Sequence, residues 1–511
     1  MKIHAGIIAL AALAAPFAAG AQAPAIRRAA ATITPQDVKA RVGIIADDSM
    51  GGRNTPSPGL LKTAEYVAGE FRRFGLKPGG SDGGYLMRYP IYQKKLATGS
   101  TISFGNADGS RSVSIPFGPD AALAGRLPLP SNRGSIVLVG GAGRLDSIPA
   151  ADLRDRVVIF VGDWSQPGAA GRFAQLARIA GAARARGVVA VVNSDSAFSA
   201  RFGSALDRTY EVVGEPGGFF SVAVREAAVT AQVSEAAEQF LGLRQAPQLV
   251  VQPMLDWEGA IALRDTTIAT AYAPNVVGIL EGSDPVLKNE YLVYSAHMDH
   301  IGTTGQPGAG CRAMAADSVC NGADDDASGT VGVLELAQAF TQRGARPRRS
   351  IIFLTVSGEE HGLWGSDYFV RNPPVPLPQI VADLNSDMIG RNWPDTIVAI
   401  GKEHSDLGST LNRVNAAHPE LKMTAIDDKW PEQSFYTRSD HYNFARRGVP
   451  VLFFFNGVHA DYHRASDSPD KIDAEKESRI VKLFFYVGQE VANAAERPQW
   501  VPASYRTIVT P

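Results

Sequence analysis

The chain has 511 residues, so at about 150 residues per domain it is expected to fold as two or three domains. Its 50 Lys and Arg against 52 Asp and Glu give a net charge of −2, which argues against a protein that binds nucleic acid or an anionic membrane. Apolar residues make up 45% of the chain, the content of a globular protein.

The N-terminus predicts a secretory signal peptide covering residues 1–21. Lys2 precedes a short apolar run, Ile7–Ala19, and Ala19-Gly20-Ala21 supplies the small residues of a cleavage site. A membrane anchor is the alternative, but the run is shorter than the ~20 residues that a membrane-spanning helix requires. The sequence therefore predicts export to the periplasm or the cell exterior, with no membrane association after cleavage.

Three blocks follow the signal peptide. Residues 34–96 carry a helical pattern, Leu60–Phe74, ended by Gly75. Residues 97–257 contain short predicted strands and one Ala/Arg-rich helix, Arg172–Arg186, without an acidic cluster beside a strand end. The predicted strands of this block are Ser135–Val139, Val157–Val161 and Val188–Val192. It is interpreted as a non-catalytic, β-rich insert.

The third block, 258–500, alternates strands and helices. The predicted strands are Tyr291–Ser295, Ile351–Val356, Thr396–Ile400 and Val449–Phe455, and the predicted helices include Ser328–Arg343 and Ala474–Ala495. This alternation predicts an α/β fold, a mostly parallel central sheet with helices on both faces. Blocks 34–96 and 258–500 are expected to form one domain that the insert interrupts.

Five segments of the third block present carboxylates or imidazoles, four of them at strand ends. They are Tyr291–Asp299, Asn321–Thr330, Ser350–His361, Ala382–Met388 and the late loop Asp461–Asp467. In an open α/β sheet, ligands collect at the carboxyl ends of the strands. Imidazoles and carboxylates converging there form a ligand set that zinc accepts, so the pattern predicts a metallohydrolase.

The individual motifs differ in how much they say. His297 and Asp299 alternate on one side of a strand end, so Asp299 is expected to hold the imidazole, although an ion pair alone would also explain them. Three consecutive acids, Asp324–Asp326, precede a helix, and capping needs only one of them. A carboxylate in this segment is therefore expected to bridge two metal ions.

Two glutamates, Glu359 and Glu360, leave the next strand. One can bind metal while the other acts as general base, and two solvated charges opening a helix are the alternative. Asp387 lies in an apolar segment and needs a partner. Three late histidines, His441, His459 and His463, compete for the remaining ligand role. His463 is the expected ligand because its loop follows a strand, whereas His441 is expected to support a ligand or to be structural.

In this order the motifs resemble the co-catalytic di-zinc exopeptidases, the family that includes bacterial leucyl aminopeptidase, aminopeptidase S and glutamate carboxypeptidase. The resemblance runs from Ala273 to about Asp473, and Asp47–Tyr85 is similar to the leader segment of these enzymes. The insert looks like a protease-associated domain on the basis of Leu153–Val161 and Ala180–Val192.

The resemblance implies two zinc ions per chain. His297 and Asp387 would bind one ion, and Glu360 and His463 the other. Asp325 would bridge both ions.

The resemblance also implies the catalytic roles. Glu359 would be the general base, Asp299 would support His297, and Tyr436 would stabilise the tetrahedral intermediate. The peptide bond between Asp325 and Asp326 would be cis.

The implied function is an exported zinc exopeptidase, in the first place an aminopeptidase acting on peptides through a metal-bridged hydroxide. Carboxypeptidases and dipeptidases share the di-zinc core, and Arg312, Arg391 and Arg438 near the motifs leave the direction open. A single-zinc glutaminyl cyclase and a receptor-like relative without ligands are rivals from other classes. The intact Asp324–Gly329 segment argues against the first, and the complete ligand set argues against the second.

The two cysteines, Cys311 and Cys320, lie close together in the sequence. In an oxidising compartment they are expected to form one local disulfide. A metal-binding pair and two free thiols are the alternatives. The sequence predicts no oligomeric state.

Overall fold

The structure is a computed structural model that describes residues 19–106, 109–125, 127–128, 130–203, 205–214, 218–306 and 308–509. The signal peptide predicted for residues 1–21 lies almost entirely outside the described residues. The chain divides into two units, a first unit that joins the described residues up to Tyr89 with those from Ala273 onward, and a second unit, Pro90–Tyr272. Within the described residues, no helix combines the length and apolarity needed to span a bilayer.

The helices are α1 (Ala19–Ala30), α2 (Pro35–Ile45), α3 (Pro58–Arg73), α4 (Ala150–Leu153), α5 (Ala169–Ala182), α6 (Asp195–Arg201), α7 (Glu226–Thr230), α8 (Glu235–Gln245), α9 (Gly329–Phe340), α10 (Trp364–Arg371), α11 (Leu407–Ala417), α12 (His441–Ala445), α13 (Ala474–Asn493) and α14 (Pro502–Ile508).

The strands are β1 (Lys77–Pro78), β2 (Leu86–Leu96), β3 (Thr101–Asn106), β4 (Ser112–Pro116), β5 (Ala121–Leu123), β6 (Ser131–Gly140), β7 (Val157–Val161), β8 (Gly187–Val192), β9 (Thr209–Val212), β10 (Phe220–Arg225), β11 (Val250–Ala262), β12 (Asp265–Leu280), β13 (Tyr291–His297), β14 (Ser350–Val356), β15 (Ile380–Ser386), β16 (Thr396–Ile400), β17 (Thr424–Ile426) and β18 (Val451–Phe454).

The first unit is built on a mixed sheet with the strand order β17-β16-β18-β15-β13-β14-β12-β2. Strands β14, β13, β15 and β18 run parallel to their neighbours in this group, whereas β12 and β16 are antiparallel to β14 and β18. The predicted α/β class is therefore confirmed, with a parallel centre and antiparallel flanks. The carboxyl ends of the four central strands lie on one edge of the sheet.

Helices cover both faces of this sheet because successive side chains of its strands point to opposite sides. Val293 points to one face, in a cluster with Phe369 of α10 and Phe444 of α12. The next residue, Tyr294, points to the other face, where its ring lies 5.7 Å from Phe340 of α9 and 5.4 Å from Phe484 of α13. Both faces of β13 are thus buried, as its continuous apolar run requires.

Helix α3 shows how local sequence sets an element. The Ser57 hydroxyl accepts a hydrogen bond from the Leu60 amide at 3.1 Å, which caps the N-terminus. Leu60, Val67 and Phe71 recur at helical spacing and are buried. Gly75 follows the helix with a φ of 76°, the left-handed conformation of a helix C-terminus that the sequence predicts.

The second unit contains an eight-stranded sheet with the order β4-β3-β11-β6-β7-β8-β10-β5. Strands β6, β7, β8 and β10 are parallel, and the outer strands are antiparallel. All five residues of β7 are buried, as are all six of β8. The unit also contains α4 to α8, so it has more helix than the predicted β-rich insert.

The boundaries of the second unit differ from the predicted limits of the insert, 97 and 257. The observed unit begins at Pro90, inside β2, and ends at Tyr272, inside β12. Both strands run without interruption through the boundary, so the change of sequence texture does not coincide with the change of domain. Cys311 and Cys320, in the first unit, form the predicted disulfide.

Candidate metal centre

The candidate site lies at the carboxyl ends of β13, β14, β15 and β18 and at the N-terminal end of α9. His297 is the last residue of β13, Glu359 and Glu360 follow β14, and Asp387 follows β15. His463 lies in the loop after β18. Parallel strands bring these positions to the same edge of the sheet, as the sequence predicts.

A first group of donor atoms comes from His297, Asp325 and Asp387. His297 Nε2 lies 3.3 Å from Asp325 Oδ1 and 3.7 Å from Asp387 Oδ1. All three residues are buried. One imidazole nitrogen and two carboxylate oxygens, all within 4.8 Å of one another, make a set that can hold a metal ion.

A second group shares Asp325 and consists of His300, Asp325 and Glu360. His300 Nδ1 lies 2.8 Å from Glu360 Oε1 and 3.6 Å from Asp325 Oδ2. His463 approaches the same two carboxylates, since its Nε2 lies 3.1 Å from Glu360 Oε2 and 3.2 Å from Asp325 Oδ2. Two imidazoles therefore face this group, where the sequence predicts only His463.

The middle acid of the Asp324–Asp326 segment differs from its neighbours. Asp324 accepts a hydrogen bond from the Gly390 amide at 2.6 Å, and Asp326 accepts bonds from the amides of Gly329 and Met388 at 2.8 and 3.1 Å. The outer acids thus hold loops together, and Asp325 faces both donor groups. The Asp325–Asp326 peptide bond is cis, as the resemblance implies.

Glu359 lines a small cavity together with His297, Asp325 and Asp387. It is partly exposed and belongs to neither donor group. A carboxylate beside a metal-binding set, yet outside it, is placed to handle the proton of a bound water. The structure thus places Glu359 beside the donor groups and Glu360 within one of them, and the predicted role of Glu359 as general base stays a prediction.

Asp299 reaches the site mainly through hydrogen bonds. The ring Nδ1 of His297 lies 3.2 Å from the Asp299 backbone oxygen, and 3.8 Å from its carboxylate. The carboxylate accepts bonds from the Thr55 hydroxyl at 3.0 Å and the Glu359 amide at 3.3 Å. Asp299 therefore links His297 to the turn that carries Glu359.

Arg53 is a supporting residue that sequence reasoning missed. Its buried guanidinium donates to the backbone oxygens of Met298 at 2.8 Å and Gly322 at 2.9 Å, and also to that of Asn321. One side chain from the N-terminal segment thus ties the loop after β13 to the loop before Asp325. Only its position in a glycine-rich turn, after Gly52, marked it in the sequence.

Asp387 is held by a chain of polar side chains. The Ser439 hydroxyl donates to Asp387 Oδ2 at 2.9 Å and accepts from Asn385 Nδ2 at 3.0 Å. The Ser295 hydroxyl lies 2.8 Å from both Asn385 Oδ1 and Asp383 Oδ1. These buried groups orient the carboxylate toward His297 and were not predicted from the sequence.

Tyr436 is not among the residues that line the cavity. Its ring packs against His404 at 4.6 Å and His441 at 5.3 Å. Tyr462 lines the cavity instead, and its ring stacks on His463 at 3.9 Å. The signal available in the sequence was its position directly before the predicted ligand His463.

The electrostatics of the site favour a cation. Burial raises the pKa of Glu359 well above its ordinary value. His297 lowers this pKa, whereas the neighbouring carboxylates of Glu360 and Asp440 raise it further. Burial lowers the pKa of His297, but Asp387 and Glu359 outweigh it and raise the pKa well above the ordinary value. Like charges this close together need positive charge between them.

The donor atoms also pass a test of fit for zinc. Among the described residues, Asp325 Oδ2, Glu360 Oε1 and both ring nitrogens of His300 are buried without a hydrogen-bond partner. The 2.8 Å approach of His300 to Glu360 therefore lacks hydrogen-bond geometry. Buried polar atoms are normally satisfied, and zinc takes this combination of nitrogen and oxygen donors. The residues present fit a metal ion.

Residues 275–488 match the sequence profile of Peptidase family M28. This part of the chain belongs to peptidase family M28. The family resemblance predicted from the motifs is therefore confirmed for this segment.

Curated relatives are similar to about two fifths of this chain. Leupeptin-inactivating enzyme 1 of Streptomyces exfoliatus is 30% identical over 224 residues, which are 43% of this chain and 44% of that protein. A probable leucine aminopeptidase of Arthroderma otae is 28% identical over 230 residues, 43% of this chain and 58% of that protein. The chain spans about half the length of these curated relatives.

A solved structure that is similar to this chain is an aminopeptidase from Aneurinibacillus sp. strain AM-1. It is 16% identical, with a TM-score of 0.49, and the alignment covers 92% of this chain and 97% of that one.

Proposed function

We propose that this M28 protein is an exported, zinc-dependent aminopeptidase that removes the N-terminal residue from peptides. The observation that carries the proposal is the pair of donor groups sharing Asp325, with Glu359 beside them and outside both. The family match and the names of the relatives support a peptidase that acts on chain ends.

Two zinc ions per chain are part of this proposal. His297 and Asp387 would hold one ion, Glu360 and His463 the other, and Asp325 would bridge them. Zinc bound here supplies a Lewis acid for the scissile carbonyl and lowers the pKa of water.

The chain's own groups have separable roles. Glu359 takes the proton of the attacking water and delivers it to the leaving amine. The Tyr462 hydroxyl, at the cavity, donates to the carbonyl oxygen as negative charge develops there. Asp299 and Ser439 keep His297 and Asp387 in orientation through the hydrogen bonds given above. Tyr436 would act on the intermediate only after a movement toward the cavity, so Tyr462 is the better candidate.

The cavity supports an apolar N-terminal residue as the preferred substrate. Beyond the ligands it is lined by aromatic and aliphatic side chains, including Phe435, Phe453 and Phe455. Burying such a side chain there stabilises the complex by about 25 cal/mol per Å² of apolar surface removed from water. Leucine and phenylalanine are the residues expected at the substrate N-terminus.

A dipeptidase or carboxypeptidase is the second candidate, and one residue favours it. Of the three arginines near the motifs, Arg391 is paired with Asp461 at 3.0 Å, whereas Arg438 lines the cavity and lies 4.6 Å from the Phe435 ring. An arginine at the cavity can bind a substrate carboxylate in a bidentate manner. Short peptides with a free C-terminus would gain most from it.

A peptide panel read by mass spectrometry tests the direction of cleavage. Three versions of one leucine-headed peptide are compared, with both ends free, with the N-terminus acetylated and with the C-terminus amidated. An aminopeptidase cleaves the first and third and releases leucine. Cleavage of the acetylated peptide, with loss of activity on the amidated one, would establish the carboxypeptidase instead.

Arg438→Gln separates the two candidates further. If the arginine binds a C-terminal carboxylate, this variant raises KM for dipeptides and leaves longer amidated peptides unaffected. Arg312→Gln, on the exposed loop of the disulfide, is the matched control.

Elemental analysis after gentle purification tests the metal content. Two zinc ions per chain are expected, and removal by a chelator should abolish hydrolysis and lower the Tm. One tightly held ion with full peptidase activity would contradict the two-ion site, whereas one ion without peptidase activity would favour the chemistry of a glutaminyl cyclase.

The proposal also includes export of the protein and an insert that is a protease-associated domain. The Cys311–Cys320 disulfide supports an oxidising compartment. N-terminal sequencing of the mature protein should begin at Gln22. A mature protein that retains Met1 would contradict cleavage.

A further inference from the structure

The second unit contains an apolar cavity between one face of its sheet and helices α7 and α8. Its volume is about 150 Å³, and its walls include Phe104, Ile136, Ile159 and Phe240. An engineered apolar cavity of about 150 Å³ stays dry and binds benzene, so this space suits one ring or one branched aliphatic group. Protein interiors are otherwise close-packed, which makes such a space unusual.

Strand β11 departs from regular geometry at this cavity. Its register with β6 shifts between Met254 and Glu258, and Asp256 has a left-handed φ of 67°. Met254 and Trp257 are three positions apart and would point to opposite faces of a regular strand, yet both line the cavity. Bulges re-aim side chains in this way and are frequent beside functional sites.

Polar side chains lie at the mouth of the cavity. Arg111 and Glu235 are both exposed and both contribute to its lining, together with Gln239. A ligand could place an apolar group in the cavity, a carboxylate next to Arg111 and an ammonium group next to Glu235. Arginine binds carboxylates through paired, charge-assisted hydrogen bonds.

An extended peptide is a poorer fit than a small molecule. Peptides often bind by adding a strand to a sheet edge, and β4, which contributes Val113 to the cavity, is one of the two edge strands here. Gln232 covers part of that edge, since its side chain accepts a bond from the Ser114 amide at 3.2 Å and donates to the Ser114 oxygen at 3.5 Å. The cavity is therefore open to a compact ligand rather than to an added strand.

We propose that this cavity binds a free amino acid with a large apolar side chain, such as leucine or phenylalanine. The side chain fills the cavity, the carboxylate pairs with Arg111 and the ammonium pairs with Glu235. Such amino acids are the products of the proposed aminopeptidase, but the site lies within the second unit and does not rest on that function.

Calorimetric titration of the full chain with L-phenylalanine and L-leucine tests the proposal. Ala236 is a buried residue of α8 that lines the cavity, and Ala236→Leu fills part of the space. Saturable binding is expected, weakened at least tenfold in Ala236→Leu and unchanged in Ala237→Leu, whose site on the same helix is exposed.

Arg111→Gln provides a second variant at an exposed position, where folding is not at risk. It should weaken phenylalanine binding and leave toluene binding unchanged. Absence of saturable binding, or equal affinity in Ala236→Leu and the parent, would overturn the proposal. Binding of toluene without binding of phenylalanine would overturn it as well, because Arg111 and Glu235 would then not bind the polar groups of an amino acid.

Discussion

Three adjacent aspartates illustrate how position decides the role of one side chain. Asp324 and Asp326 accept hydrogen bonds from backbone amides of the loop after β15, and Asp326 also accepts one from the first residue of α9. Asp325 belongs to both donor groups. Their shared proximity to a helix N-terminus explains one capping acid but not three. The concentration of acids in the sequence identified the segment, and the observed hydrogen bonds distinguish its members.

The two glutamates after β14 make a sharp test of the proposed roles. Glu359→Gln should retain both zinc ions and the fold but lose about 10²–10⁴-fold or more in kcat, because general-base participation is worth that much. Glu360→Gln should weaken one zinc ion, and added zinc should restore part of the activity. Kinetics combined with elemental analysis checks both. Loss of zinc in Glu359→Gln, with both ions kept in Glu360→Gln, would reverse the assignment.

The two imidazoles near Glu360 make a second test. His463 approaches both Asp325 and Glu360 and is the proposed ligand. His300 is fully buried and is proposed to support the Glu360 carboxylate through the close contact of its ring, whose Nδ1 lies 2.8 Å from Glu360 Oε1. His463→Asn should lose one zinc ion. His300→Asn should keep two ions at saturating zinc but bind one about 10–100-fold more weakly, the usual effect of removing a group that supports a ligand.

His418→Asn is the control for these substitutions, since its ring stacks on Tyr486 at the end of α11. It should leave zinc affinity unchanged. If His300→Asn loses a zinc ion and His463→Asn keeps both, His300 is the ligand and the prediction of His463 as a ligand is wrong.

At the scale of elements, one buried arginine joins three helices of the first unit. Arg41 of α2 forms an ion pair with Glu335 of α9, lies 3.2 Å from Glu70 of α3 and donates to Gln338 at 2.6 Å. Glu335 is fully buried, and Arg41 is the cation that forms an ion pair with it. The packing of these helices therefore depends on keeping the pair intact.

Arg41→Met should destabilise the first unit by about 3–5 kcal/mol, because it leaves a buried carboxylate without its partner. Arg41→Met combined with Glu335→Leu should recover most of that loss, since well-packed apolar side chains replace buried ion pairs at little cost. Urea unfolding followed by tryptophan fluorescence measures both. Equal stability of the single and double variants would show that Glu335 is not held by Arg41.

The same pair predicts a dependence of stability on pH. Burial raises the pKa of Glu335 to about 7. The positive charge of Arg41 opposes this rise, whereas the carboxylates of Asp37 and Glu70 add to it. Glu477 of α13 also interacts with Glu335. The folded state then binds the proton more tightly than the unfolded chain. Glu335 therefore contributes stability at low pH that is lost as the pH rises from about 4.5 to about 7.

Comparison of the parent with Glu335→Gln at pH 5 and pH 8 checks this sign. From pH 5 to pH 8, the free energy of unfolding of the parent should fall by on the order of 1–3 kcal/mol more than that of the variant. An equal change in both proteins would show that Glu335 is ionised throughout. Because the parent and Glu335→Gln share all other titratable groups, the difference between the two proteins removes the contribution of those groups to the pH dependence.

At the scale of the whole molecule, the second unit contributes none of the proposed metal ligands. Every ligand proposed for zinc lies in the first unit. The chain enters the second unit through β2 and returns through β12, which are neighbours in the sheet of the first unit. The proposed ligand set thus contains no residue of Pro90–Tyr272.

Replacing Pro90–Tyr272 by an Asn-Gly turn should leave zinc binding intact and alter substrate preference. The turn joins neighbouring strands, and Asn-Gly favours such hairpins. Elemental analysis and the peptide panel on the shortened chain check the two parts. Loss of zinc from a folded product would mean that the second unit supports the metal centre.

The sequence by itself determined the class of fold, the family and the segments that meet at the centre. Apolar β-branched runs followed by charged residues mark strand ends, and β13, β14 and β16 lie where this pattern predicts them. The disulfide also followed from local spacing. These features depend on residues close together in the chain, which a pattern can register.

Only the tertiary structure decided which side chains support the centre. Arg53, His300, Ser439 and Tyr462 reach it from four different segments, and their roles depend on contacts across long stretches of chain. Tyr436 has the expected chemistry but packs against His404 and His441 instead. Sequence spacing carries no information about such distances, because the sheet order places β18 beside β15 and β14 beside β13 only after folding.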